Sequence, residues 1–121
     1  MSYQVLQAYV RPQLVARIIR ALIDAGCDDL FLGETRRVVA GLEASDAEYS
    51  VQAGQKVELM LRLEVIGTVD EVGRWAGKVR DAASTGRHGD GVVTIVAAAE
   101  HFHLSGPPGH SAPEHGGALG L

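Results

Sequence analysis

The sequence predicts an α+β sandwich, with four strands in one antiparallel sheet and two helices packed on one of its faces. Three observations carry that expectation. The chain has 121 residues, 46% of them hydrophobic, which suffices for one compact domain and not for two. Its hydropathy pattern runs strand–helix–strand twice. A polar interval of about twenty residues separates the two runs.

The opening Ser2–Val10 segment is rich in β-branched and aromatic residues and stops before Pro12, a residue suited to the first position of a helix. Leu14, Ile18, Leu22 and Ala25 then share one helical face, widened by Val15, Ile19 and Ile23, while Arg11, Arg17 and Arg20 are left for solvent or a neighbour. Gly26 supplies the stop. Asp28–Glu34 reads as the second strand. Beyond it, from Thr35 to Gly54, the periodicity dissolves into polar, glycine and alanine residues. An interval of that length is either a functional loop, placed at about 36–53, or a plain hairpin.

Val57–Ile66 alternates cleanly: Val57, Leu59, Leu61, Leu63 and Val65 on one face, Glu58, Met60, Arg62, Glu64 and Ile66 on the other. Thr68 and Glu71 form a capping box for the second helix, whose buried stripe is Val72, Ala76, Val79 and Ala83 with Trp75 beside it. Val92–Ala99 is expected to be a final, largely buried strand. Right-handed crossovers combine these elements into a ferredoxin-like βαββαβ sandwich. Such a fold leaves one sheet face without helices. Met60, Ile66 and the small residues of the last strand make that face apolar, so an oligomer that hides it is expected. Residues 1–104 form the domain, and 105–121, with three prolines, five glycines and two histidines, are expected to be a flexible tail.

Composition narrows the function. Eleven Lys and Arg against fifteen Asp and Glu give a net charge of -4, which argues against a nucleic-acid partner or an anionic membrane. No apolar run is long enough to span a bilayer and no signal pattern opens the chain, so a cytoplasmic protein without membrane insertion is expected. Cys27 is the one cysteine, read as a buried thiol. No arrangement of Ser, His and Asp resembles a nucleophile site, and no catalytic residue is assigned. The protein is expected to act by binding.

The segment richest in chemistry is S-T-G-R-H-G-D-G, Ser84–Gly91. Gly86, Gly89 and Gly91 let backbone N–H groups approach an anion, Arg87 adds a planar cationic fork, and Asp90 can pin the turn by accepting backbone N–H bonds. His88 is ligand-adjacent or exposed. The same composition also makes an ordinary helix-to-strand turn. Near the end of the last strand, His101 and His103 are two residues apart and point to one side if the strand continues, the beginning of a transition-metal site that His110 and His115 of the tail can extend.

Thr85, Gly86, Gly89, Asp90 and Gly91 match the T-G-x-x-G-D-G turn of the PII signal-transduction family, and A-E-Y-S-V (Ala47–Val51) followed by Lys56-Val57 matches a second family segment. From Tyr3 to about Leu104 the chain resembles that family. The resemblance implies a homotrimer that binds adenine nucleotide between subunits, with contacts from Thr35, Arg36, the residues from Gly86 to Gly91, and His101 or His103. It also implies a long loop that relays ligand state to a transporter or enzyme target, with no cofactor required. Where the family turn continues with a cation, this chain has Val92-Val93-Thr94, and His101 and His103 stand where the family often has two arginines. A neutral imidazole holds a triphosphate less well than a guanidinium, so ADP or AMP is expected in preference to ATP. The family glutamine that serves 2-oxoglutarate binding is replaced within Arg37-Val38-Val39-Ala40-Gly41, and no tyrosine lies near the loop apex, so uridylylation is not expected. A second small anion such as bicarbonate is expected to use Arg36 or Lys56. The alternative is a metal-responsive protein of the same fold with His101, His103, His110 and His115 as ligands of a divalent ion.

Overall fold

The computed structural model describes residues 2–39, 48–50, 54–84 and 91–105. Its elements are β1 (Tyr3–Val10), α1 (Pro12–Asp24), β2 (Leu30–Val39), β3 (Glu48–Ser50), β4 (Gln55–Thr68), α2 (Val69–Ala83) and β5 (Gly91–Ala98). The sheet order is β2-β4-β1-β5 with every described pair antiparallel, and the short β3 adds to β4. This is the ferredoxin-like arrangement expected from the sequence.

Local signals explain the boundaries. Pro12 opens α1, where its missing N–H is no loss. After Asp24 the chain turns through Gly26 at φ +90°, a left-handed conformation that costs glycine nothing. At α2, Thr68 Oγ1 accepts from the Glu71 N–H at 3.2 Å while Glu71 Oε1 accepts from the Thr68 N–H at 2.9 Å. The capping box is therefore closed at both bonds.

The core lies between the helices and the two central strands. Leu6, Ala8 and Val10 of β1 and Leu63 and Val65 of β4 meet Leu14, Ile18 and Leu22 of α1 and Val72, Trp75 and Val79 of α2. Trp75 is tied in twice over: its ring lies where a Cβ on Gly67 would sit, and its Nε1–H donates to the Ala25 carbonyl at 3.2 Å. Cys27 is buried here, and desolvation raises its thiol pKa above the ordinary value, with the charges of Asp28, Asp29 and Glu71 adding to the rise against a backbone hydrogen bond from Asp29. Ile23, expected to widen the buried stripe of α1, is exposed.

Two strands depart from expectation. β2 does not end at Glu34; it stays paired with β4 from Leu30↔Val65 through to Val39↔Lys56. The ladder's hydrogen bonds stabilise this stretch without a hydrophobic face, so no periodicity marks it. β5 is exposed along nearly its whole length, with Val92 at 60% and Val96 at 46%. The expectation of a largely buried last strand is therefore corrected: among the described residues β5 pairs with β1 alone and forms a sheet edge, and the helices cover β1 and β4 without reaching across it. Met60 also differs, being 3% exposed although it lies on the helix-free face. Among the described residues, no helix is long and apolar enough to cross a membrane.

Candidate functional site

Strand register decides which side chains share the helix-free face. Tyr9 is opposite Arg62 of β4 and Val92 of β5, and Thr35 of β2 is opposite Met60. Side chains alternate along a strand, so Tyr9, Val92, Thr35 and Met60 all project to that face. There, Tyr9, Thr35, Arg36, Arg37, Met60, Gly91 and Val92 line a cleft of about 510 Å³, within the size range of small-molecule sites. Met60 is buried at its floor, apart from the main core. The walls are apolar and aromatic. Two exposed arginines stand at the β2 end: Arg37 shares the cleft's face and is paired with Glu58 across the ladder, while Arg36, opposite Leu59, has the alternate register and borders the lining.

Gly91 stands at the β5 end, at φ +143°. A Cβ there would lie 2.2 Å from the Tyr9 carbonyl oxygen, so only glycine lets the chain enter β5 this close to β1. The rest of the glycine-rich segment, Gly86, Arg87, His88, Gly89 and Asp90, lies outside the described residues, as do His110 and His115. Gly91 itself stands beside the cleft, next to Tyr9 and Val92.

The other candidates separate. Thr35 and Arg36 join Gly91 at the cleft. Lys56 does not converge with Arg36, because Arg36 is opposite Leu59 and Lys56 is three residues further along β4. Strand alternation gives Lys56 the face of Met60 and Arg36 the opposite one. His101 stacks on Tyr3 with ring centroids 4.2 Å apart, and His103 meets His101 edge-on at 5.3 Å. Tyr3 and Tyr9 are six residues apart on one strand, roughly 20 Å. Within one protomer the histidines therefore lie at the far end of β1 from the cleft. Among the described residues no group of three or more His, Cys, Asp or Glu side chains is placed to hold a metal ion.

Sequence patterning places Met60 on the helix-free face but singles out none of Tyr9, Arg37, Met60 and Val92 as site residues, and all four line the cleft. A tyrosine near the end of a strand is most simply a packing residue. The register that sets Tyr9 against Val92, one residue past the glycine-rich segment, is the signal that assigns it.

A second groove of about 320 Å³ runs on the helical side between α2 and β5, lined by Val10, Ala76, Val79, Ala83, Val93 and Ile95 among others. The open face beyond the cleft is mixed, not simply apolar. Gln7 Nε2 donates to Glu64 Oε2 at 2.8 Å, and Arg62 reaches the same carboxylate at 3.9 Å while lying over Gly33.

Neither a protein-family model nor a curated protein matches the chain. Solved structures do. Arabidopsis thaliana PII bound to citrate superposes with a TM-score of 0.68 at 18% identity, over 85% of this chain and 83% of that one. Bacillus subtilis GlnK superposes with a TM-score of 0.65 at 15% identity, over 84% and 90% respectively. At these identities the likeness is one of fold: the chain folds as PII proteins do.

Proposed function

We propose that this protein is a cytoplasmic PII-like regulator that binds an adenine nucleotide, ADP or AMP in preference to ATP, in clefts between the subunits of a homotrimer. The observation that carries the proposal is the cleft lined by Tyr9, Met60 and Val92, with Arg36 at one end and Gly91, where the glycine-rich segment enters β5, at the other. An apolar floor suits a purine base, and the cation and the glycine backbone suit phosphate. Arg87, from the sequence matching the PII turn, adds a second cation. The fold shared with PII and GlnK supports the regulatory class.

The distance between the cleft and the histidines gives the trimer a role in binding. His101 and His103 enter a cleft only when a neighbouring subunit brings them there. Two imidazoles in place of obligate cations favour the shorter phosphate chain. A second small anion, such as bicarbonate, meets Arg36 beside the nucleotide. The ligand state is relayed through the segment following β2, whose ordering adds contacts in one state only, to a transporter or enzyme. The protein works by binding, without turnover and with no required cofactor.

Calorimetric titration of ADP, AMP and ATP into the protein tests this directly. Saturable binding of ADP or AMP, tighter than that of ATP and weakened at least tenfold (about 1.4 kcal/mol) by Arg36→Ala or Arg87→Ala, is the expected result. Absence of saturable heat with all three nucleotides would overturn the proposal. Bicarbonate titrated into the nucleotide-loaded protein should give further saturable heat that Arg36→Ala removes.

A further inference from the structure

The pair His101 and His103 has no part in the cleft of its own protomer, yet its two rings are set close together at the other end of β1. Tyr3 opens the interior strand β1, paired on both sides, opposite Thr68 of β4 and Ala98 of β5. Its ring therefore sits on a rigid support. His101 stacks on that ring at 4.2 Å with the planes 29° apart. Stacking restricts the rotation of the imidazole at a position past the end of β5. His103 then lies against His101, with centroids 5.3 Å apart and planes at 76°.

That spacing has a chemical meaning. A transition-metal ion binds imidazole nitrogen at roughly 2 Å, and the ring centre lies about 1 Å beyond, so two imidazoles on one tetrahedral ion have centres about 5 Å apart. The observed 5.3 Å falls at that spacing, and rotation of the rings about their side-chain bonds is what brings two nitrogens to one ion. His101 is half-buried and His103 exposed, so an ion can reach the pair from solvent.

We propose that His101 and His103 form a two-imidazole site for a borderline divalent transition ion such as Zn²⁺ or Cu²⁺, with Tyr3 as the positioning residue that holds His101. Nitrogen donors select these ions over Mg²⁺ and Ca²⁺, which take oxygen ligands. Water or a small anion fills the remaining coordination positions. The site goes beyond the nucleotide reading and requires no nucleotide.

The chain has five histidines, so the test begins from an untagged full-length variant in which His88, His110 and His115 are all alanine. Zn²⁺, with Cu²⁺ in parallel, is titrated into this variant against a chromophoric competitor, with no nucleotide present. One ion per chain is expected, unaffected by millimolar Mg²⁺. Adding His103→Ala should weaken binding at least tenfold, and so should His101→Phe, which keeps the ring stack on Tyr3 while removing the nitrogen donors. Tyr3→Leu should weaken it less than either. Metal-free thermal melts establish that each variant is folded. Failure of the starting variant to bind, or binding that changes less than tenfold in both His101→Phe and His103→Ala, would overturn the proposal. Nucleotide titration of the same variants reports on the cleft separately.

Discussion

Gly91 joins two demands at one atom. Its backbone adopts a positive φ, and its missing Cβ leaves room for the Tyr9 carbonyl oxygen, which a methyl group would meet at 2.2 Å. Gly91→Ala is expected to cost about 3 kcal/mol or more, because the strained conformation and the clash add. A urea melt with a lowered midpoint and an unchanged slope checks this. Cys27 supplies a pH test. Desolvation, its leading cause, raises the folded thiol's pKa, so the unfolded chain ionises first as pH climbs. Stability from this group is full below the ordinary thiol pKa of about 8.5 and is lost above it, by no more than about 1.4 kcal/mol per pH unit. Cys27→Ala should flatten the alkaline limb of the stability profile. The glycine-rich motif was legible from residue types alone, whereas Tyr9 and Met60 were not, since their place in the cleft depends on three strands meeting in register.

Among the elements, α2 was the most legible. Its cap, apolar stripe and terminus all lie within seventeen consecutive residues (Thr68–Ser84). Removing the cap with Thr68→Ala should cost about 1 kcal/mol, seen as a shifted urea midpoint with the fold unchanged by circular dichroism. β2 was legible only in part. Arg36, Arg37 and Val38 are exposed and carry no alternation, yet they remain paired to β4. The ribbon of β2 and β4, joined at its far end by β3, is held by backbone bonds and by pairs such as Arg37–Glu58, and these leave no hydropathic trace. β5 erred the other way: a run of Val, Ile and Ala looks buried, and in the protomer it is an open edge.

For the whole molecule, that edge is informative. Val92, Val93, Ile95 and Val96 are all more than 40% exposed, while the opposite edge strand β2 exposes Phe31, Leu32 and Val38. Unpaired apolar edges of this kind invite association unless a partner covers them. The proposed homotrimer is expected to cover β5. Sedimentation equilibrium should return three times 12.8 kDa for the native chain, and Val96→Lys should shift the mass toward the monomer. Nucleotide affinity should fall with it, because the proposed cleft is completed by a neighbour. A monomer that binds ADP as tightly as the native protein would contradict the inter-subunit site.

By itself the sequence determined the element order, the capping and stop signals, the core stripes and the glycine-rich motif, because each is written in residues close along the chain. Tertiary structure alone decided three further points: that β2 continues to Val39, that β5 is an edge, and that the histidine pair stands at the other end of β1 from the cleft of its own protomer. These depend on pairings between residues far apart in sequence. Strand register, a long-range property of the sheet, determines which face and which end each side chain occupies.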